Sequence, residues 1–220
     1  MVDTRQHYIE CYRHAIRESG LQEGSVSAVG GYFEQTGKCE VDLLKEYGLR
    51  PDHFLVDVGC GCGRLASALG DYLAASGRYL GLDILQEPLT MAAEVSHSSC
   101  QFEIIDEFKI DLPDCCVDFV TFFSVLTHLH CYEGYRYLAE ARRLLKPGGK
   151  IILSYIDWEC ETFWETFENN ARYGASTTHI FVQPMNEGQL TVWARHLQLR
   201  ADFLGLHPLG QHVVVLTKGN

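Results

Sequence analysis

The chain has 220 residues, 46% of them hydrophobic and 21% charged, a composition typical of a globular domain with its own core. Eighteen basic against twenty-nine acidic residues give a net charge of −11, and no basic cluster offsets it, so we expect no binding to nucleic acid. The nine cysteines include no C-x-x-C pair, and no apolar run reaches the length of a membrane span. We therefore expect free thiols in a cytoplasmic protein, with no membrane partner and no metal site.

In chain order, the first elements are helical. The pattern predicts a helix over residues 3–19 and a second helix near 40–48. Between them, residues 20–38 are rich in glycine and predict a loop that carries Tyr32 and Phe33.

From residue 54 onward, apolar strands alternate with helical segments. The strands are predicted at 54–58, 78–82, 101–105, 117–123 and 150–155. This order predicts an α/β fold with a doubly wound, mostly parallel sheet and helices on both faces.

The last third of the chain follows another pattern. Residues 156–185 hold several aromatic residues in a polar segment that we expect to be irregular, and a helix is predicted after Asn186. Strands at 200–206 and 211–217 then flank a turn. This closing hairpin predicts an antiparallel terminal strand in a seven-stranded sheet.

The most informative stretch is FLVDVGCGCGRLA at residues 54–66. A buried strand ends near Asp57, and Gly59, Gly61 and Gly63 follow at every second position. Such glycines let the backbone approach a ligand closely, and open α/β sheets bind ligands outside the carboxyl ends of their strands. A carboxylate at that point repels a pyrophosphate but attracts an amino group or a cation. The stretch therefore favours S-adenosylmethionine over a dinucleotide.

The D-x-G-x-G-x-G pattern after a hydrophobic strand resembles the first motif of class I S-adenosylmethionine-dependent methyltransferases. Gly61, Gly63 and Ala66 also fit G-x-G-x-x-G/A, with Asp83 twenty residues beyond Gly63, so this loop alone leaves a nicotinamide-dependent oxidoreductase as an alternative. The closing hairpin, which methyltransferases of this class have and typical dinucleotide folds lack, favours the methyltransferase.

Further motifs of this family follow the later strands. Asp83 ends the second strand at the family's ribose-binding position, and Ile84 matches the residue that packs on adenine. Asp106 and Glu107 follow the third strand, where family members place an acid that receives the adenine amino group. The sequence does not rank these two acids.

The fourth strand and its exit, VDFVTFFSVLTHL, resemble the family segment beside the methionine half of the cofactor. LLKPGGK resembles the structural turn before the fifth strand. The fourth strand ends in FFSV rather than N-P-P-Y, which disfavours methylation of the amino groups of nucleic-acid bases and of glutamine.

The resemblance implies S-adenosylmethionine as the cofactor and S-adenosylhomocysteine as its product. The positions that match the family's binding motifs are Asp57, Gly59, Cys60, Gly61, Gly63, Asp83, Ile84, Asp106, Glu107, Phe123 and Ser124.

A hydroxyl or ammonium acceptor must lose a proton, which a base with a pKa near neutrality assists. His128, at the exit of the fourth strand, is the first candidate for this base, and His179 is the second; a packing or capping role for His128 remains the alternative. Residues that can line or cover an acceptor pocket are Tyr32, Phe33, His130, Tyr155 and Asp157.

The chain is thus expected to form one domain, with a helical cap at 1–50, a cofactor-binding core at 51–155, a substrate-side insertion at 156–185 and a closing helix and hairpin at 186–220. The expected reaction is methyl transfer to a small molecule, with O-methylation favoured. Methylation of nitrogen or of a protein, a nicotinamide-dependent oxidoreductase and a non-catalytic subunit with this fold remain alternatives. The acceptor and the oligomeric state are not predicted.

Overall fold

The computed structural model of the protein describes residues 4–20, 32–173 and 182–219. Within these ranges lie seven α-helices, seven strands and a short 3-10 turn at Leu126–His128. The helices are α1 (Thr4–Ser19), α2 (Phe33–Glu46), α3 (Arg64–Leu69), α4 (Gln86–Val95), α5 (Cys131–Leu144), α6 (Glu161–Tyr173) and α7 (Glu187–His196). The strands are β1 (Phe54–Val58), β2 (Arg78–Asp83), β3 (Gln101–Ile104), β4 (Val117–Phe122), β5 (Leu145–Tyr155), β6 (Leu199–Leu206) and β7 (His212–Lys218).

The described strands form one sheet in the order β3-β2-β1-β4-β5-β7-β6. β1 to β5 pair in parallel, whereas β7 runs antiparallel to both of its neighbours, β5 and β6. The predicted seven-stranded, mostly parallel sheet with an antiparallel strand from the closing hairpin is therefore confirmed. The carboxyl ends of β1, β2, β3 and β4 meet at one edge of the sheet.

The sheet is buried on both faces because successive strand residues point to opposite sides. In β1, Val56 belongs to the cluster on one face and Leu55 to the cluster on the other, and both are fully buried. In β7, Val214 and Val215 are divided in the same way. This burial explains why the central strands appear in the sequence as mostly apolar runs.

The second helix begins at Phe33, inside the segment predicted as a glycine-rich loop, so the loop prediction is wrong for residues 33–38. Its Gly37 faces α3, and a Cβ at that position would lie 2.9 Å from the carbonyl oxygen of Arg64. Here glycine permits close contact between two helices rather than a turn.

The segment predicted to be irregular contains α6, so that prediction is wrong for Glu161–Tyr173. Phe163 and Phe167 lie one helical turn apart, and the rings of both contact Trp158, at centroid distances of 5.6 and 5.4 Å. Aromatic packing of this kind stabilises a helix whose polar composition alone does not indicate one.

Two expectations from composition concern the whole chain. All nine cysteines lie within the described ranges, and none of them forms a disulfide in the structure. In the part of the chain that the structure describes, no helix combines the length and the apolar character needed to cross a membrane.

Candidate active site

A cavity of about 500 Å³ opens at the carboxyl ends of the parallel strands, the edge at which open α/β sheets bind ligands. Most residues predicted to bind the cofactor line it, although they come from four separate segments. They are Asp57, Gly59, Cys60, Gly61, Asp83, Ile84, Asp106, Glu107, Phe123 and Ser124. The strand order brings these residues together, and their contacts with a cofactor stay predictions.

The glycines after β1 have two different surroundings. Gly59 has a φ of 72°, and a Cβ there would overlap Cγ2 of Val125, so only glycine fits without strain. Gly63, with a φ of 83°, does not line the cavity; a Cβ there would lie 2.8 Å from Cα of Ala92 in α4. The lack of a side chain at Gly63 thus permits close helix packing, and its contact with a cofactor stays a prediction.

Asp57, at the end of β1, is held by two hydroxyl groups. Thr121 donates a hydrogen bond to Oδ1 and Tyr79 donates one to Oδ2, both at 2.7 Å. Burial raises the pKa of Asp57 to about 6, although these two hydrogen bonds oppose the rise. The carboxylate therefore has a fixed orientation on the cavity wall.

Asp83, at the end of β2, is held by backbone groups. The N–H of Gly61 donates to Oδ2 at 3.0 Å, and the N–H of Leu85 donates to Oδ1 at 3.1 Å. Burial raises the pKa of Asp83 to about 6, and the backbone hydrogen bonds oppose it. Each carboxylate oxygen keeps a second lone pair, so Asp83 can still accept bonds from two ligand hydroxyls.

Asp106 and Glu107 follow β3, two strands away from β1, and line the cavity with Ile84. Arg5 of α1 binds Asp106 twice: Nη1 donates to the backbone oxygen at 2.6 Å and Nη2 donates to Oδ1 at 2.7 Å. The carboxylate predicted to receive an adenine amino group is therefore also the point at which α1 attaches.

The exit of β4 forms the third side of the cavity. Ser124 has a φ of 61°; its N–H donates to Oγ of Ser154 at 2.8 Å, and both hydroxyls donate to Oε1 of Gln211, at 3.2 and 2.6 Å. His128 ends the 3-10 turn, and its ring centroid lies 5.7 Å from that of Tyr8. The exit of β4, the end of β5 and the loop after β6 thus support this wall together.

Helix α1 lies across the cavity and is tied to several strand exits. Thr4 donates to Oε2 of Glu133 at 3.0 Å, and Arg13 pairs with Glu87 of α4 at 3.5 Å. Between these contacts the half-buried Tyr8 lines the cavity, and burial raises the pKa of its hydroxyl. The N-terminal helix is therefore a wall of the site.

The five residues predicted to line or cover an acceptor pocket, His130 among them, do not line this cavity. Tyr32 is 79% exposed, and Phe33 begins α2 beside it. Tyr155 is fully buried, with its ring 5.5 Å from that of His212, and Asp157 forms an isolated bridge with Met185. These residues lie outside the cavity, and for each of them a contact with an acceptor stays a prediction.

The three histidines singled out from the sequence have different positions. His128 lines the cavity. His130 precedes α5 and takes part in a capping box with Glu133, so its described role is at the helix start. His179 lies outside the described residues.

Several cavity residues were not found by sequence reasoning: Thr4, Arg5, Tyr8, Glu40, Arg64, Glu133, Tyr137 and Gln211. Arg64 follows the glycine motif directly, which was a usable signal. Tyr8 belongs to an apolar stripe of α1, and such a stripe predicts packing without showing whether it packs on a core or on a ligand site. The others depend on contacts between distant segments.

The lining is acidic. Six carboxylate side chains line the cavity against two guanidinium groups: Glu40, Asp57, Asp83, Asp106, Glu107 and Glu133 against Arg5 and Arg64. This excess of negative charge favours a cationic ligand over a phosphate.

Comparison with known proteins finds similarity in the core of the chain. Residues 56–153 match the family described as a methyltransferase domain. The chain is 32% identical over 154 residues to a demethylmenaquinone methyltransferase of Bacillus licheniformis, covering 69% of this chain and 64% of that protein. It is 28% identical over 173 residues to a ubiquinone biosynthesis O-methyltransferase of Coxiella burnetii, covering 75% and 71%.

Other curated relatives are longer, and the chain spans about half the length of several that it matches. Among solved structures, a magnesium protoporphyrin IX methyltransferase from Synechocystis with bound S-adenosylhomocysteine has a TM-score of 0.66. That comparison covers 84% of this chain and 82% of the other at 16% identity, which shows a common fold.

The cavity residues fit S-adenosylmethionine, whose sulfonium is a cation. The acidic lining suits that charge, and Asp83 has lone pairs for ribose hydroxyls. Most of the residues that give the cavity these features lie within residues 56–153, the part of the chain that matches the methyltransferase domain.

Proposed function

We propose that the chain transfers a methyl group from S-adenosylmethionine to a hydroxyl oxygen of a small aromatic molecule, with His128 as the base. The observation that carries this proposal is the place of His128 on the cavity wall at the exit of β4, in the same cavity as the glycine segment. A base is needed there because a hydroxyl loses its proton when it is methylated.

An aromatic acceptor is supported by the apolar part of the lining. Phe108, Phe123, Val125 and Leu129 line the cavity, as does Tyr8, whose ring contacts that of His128. Flat apolar walls of this kind suit an aromatic ring, and the few polar groups beside them can orient its hydroxyl. The Coxiella burnetii relative, named as an O-methyltransferase of ubiquinone biosynthesis, supports a hydroxylated ring of that kind as the acceptor.

The cofactor supplies an electrophilic methyl group on a positively charged sulfur. The acceptor oxygen forms the new bond to carbon, the carbon–sulfur bond breaks with its electron pair passing to sulfur, and the acceptor proton passes to the imidazole of His128. The acidic lining would hold the cation before transfer, and α1 would exclude water by covering the cavity. No metal ion takes part in this proposal, and the cytoplasmic location stays a prediction.

The test is methyl transfer from a cofactor labelled in its methyl group, with catechols, hydroquinones and phenols compared with primary amines and a peptide mixture. We expect label in the phenolic ethers. His128→Asn should lower kcat by roughly 10²–10⁴-fold while the Kd of S-adenosylhomocysteine barely changes. His196→Asn, at an exposed histidine in the last turn of α7, is the matched control.

The outcomes separate the alternatives. Label in amines or peptides would replace O-methylation by N- or protein methylation. Full kcat in His128→Asn would remove His128 from the mechanism and make His179 the next residue to test.

A further inference from the structure

Glu40 of α2 has an unusual environment in the wall of the cavity. It is 1% exposed, and its Oε1 accepts hydrogen bonds from both Nε and Nη2 of Arg64, at 2.9 and 2.5 Å. Its second oxygen, Oε2, is buried and has no hydrogen-bond partner. Because Glu40 lines the cavity, a ligand bound there is a possible source of the donor that Oε2 lacks.

A buried carboxylate oxygen without a partner is unfavourable, since it loses water without gaining a hydrogen bond. Burial raises the pKa of Glu40 to about 7 and the nearby Asp57 adds to the rise, although Arg64 opposes it. Gly37, one turn earlier, allows α2 to pack tightly on α3 and so keeps Glu40 at this depth. The fold therefore holds a costly group at the ligand site.

The neighbouring carboxylate of Asp57 differs from Glu40 because neither of its oxygens lacks a hydrogen-bond partner. Both oxygens of Asp57 accept short hydrogen bonds from protein hydroxyls, those of Thr121 and Tyr79. Asp83 and Asp106 follow β2 and β3, on the side where the nucleoside is expected. Glu40 lies on the β1 side, beside Arg64 at the start of α3, where the amino-acid end of the cofactor would extend.

We propose that Oε2 of Glu40 accepts a hydrogen bond from the α-ammonium group of the cofactor, and that Arg64 positions Glu40 for this contact through Oε1. The proposal rests on the cofactor site of the proposed function but not on its acceptor. Glu40 thereby selects a ligand that carries an amino acid over one that ends at the ribose or the thioether.

Calorimetry with two ligands tests the contact: S-adenosylhomocysteine, and its desamino analogue, which lacks only the ammonium group. Glu40→Gln keeps the shape of the side chain but loses the charged acceptor. We expect it to weaken S-adenosylhomocysteine about ten- to a hundredfold and to change the Kd of the desamino analogue by less than about threefold. Asp42→Asn, at an exposed acid on the same helix, controls for the change in net charge.

Equal losses for both ligands, or no loss for either, would overturn the Glu40 contact. A wild-type protein that does not bind S-adenosylhomocysteine at all would instead overturn the cofactor site. If Glu40→Gln does not fold, a crystal structure of the wild type with S-adenosylhomocysteine decides. We expect its ammonium nitrogen about 3 Å from Oε2 of Glu40; an ammonium group held only by other residues would contradict the proposal.

Discussion

Two parts of the chain line the cavity in different ways: the segment from β1 to β2, and the helix α1 that covers it. In the first, Asp57 and Asp83 are 3% and 6% exposed and are fixed by hydrogen bonds within the sheet and the glycine segment. In the second, Arg5 of α1 forms an ion pair with Asp106, and these two side chains are 40% and 77% exposed.

The difference shows how the site divides its tasks. Exposed ion pairs such as Arg5–Asp106 contribute at most about 1 kcal/mol, whereas buried, hydrogen-bonded carboxylates are strongly constrained by their surroundings. We infer that the β1–β2 segment is preformed and that α1 docks onto it with weaker polar contacts. Substitutions in the β1–β2 segment should change both the stability of the fold and the affinity for the ligand. Substitutions in α1 should change mainly how often this helix detaches from the cavity.

The largest effect is expected at Gly59. Gly59→Ala should lower the free energy of unfolding by about 2–4 kcal/mol, because the left-handed backbone strains an alanine and its Cβ overlaps Val125. Urea titration measures this loss. Gly205→Ala is the matched control, since Gly205 has a φ of 67° but open space around it. This variant should lose only the stability that the strained backbone costs. If Gly59→Ala is as stable as the control, the glycine segment can shift to relieve the overlap and is no more rigid than α1.

A smaller effect is expected at Asp83. Asp83→Ala should weaken S-adenosylmethionine binding by roughly 1.5–3 kcal/mol, because charged hydrogen bonds to ribose are lost. Calorimetry gives the Kd, and Glu103→Ala, at an exposed acid on the adjacent β3, is the control. Unchanged affinity in Asp83→Ala would remove the ribose contact from this part of the site.

The pH dependence of stability tests whether Asp57 is as buried in solution as in the structure. Its pKa is about 6 in the folded protein against an ordinary 3.8, so the folded state holds the proton more tightly, and stability falls as pH rises from about 4 to 6. Asp57→Asn should lack the part of this loss in the free energy of unfolding that Asp57 causes, which is on the order of 2–3 kcal/mol. Urea midpoints at pH 4.5 and 7 measure it, with Asp111→Asn as an exposed control. Equal falls in wild type and Asp57→Asn would contradict the burial.

The smallest effect is expected at Arg5. Arg5→Ala should change the free energy of unfolding by less than about 1 kcal/mol, yet raise amide exchange in α1 by up to about fivefold, because its attachment to Asp106 is lost. Exchange in β1 should not change. Arg17→Ala, at an exposed residue of the same helix, is the control. If amide exchange rises in both α1 and β1, the helix and the sheet open as one unit.

The difference between the β1–β2 segment and α1 also explains which cavity residues could be predicted from the sequence. Asp57 and Asp83 could be predicted because each ends a strand, and parallel strands bring their carboxyl ends together. Arg5 and Thr4 could not, because their partners lie 101 and 129 positions away and no local pattern links them. Gly37 was misleading for the opposite reason: the residue type that favours a loop locally is required by contact between two helices.

The place of β7 has a consequence for synthesis of the chain. This strand follows all the others in sequence but lies between β5 and β6, with Val213 to Leu216 fully buried. During translation, β6 therefore has no partner strand until β7 has left the ribosome. At about 5–20 residues per second, the 20 residues from Leu199 to Lys218 take roughly one to four seconds. One edge of β5 is an open template for longer, from the synthesis of Tyr155 until that of Lys218, and a chaperone that shields it would act before Gln211 can reach the cavity.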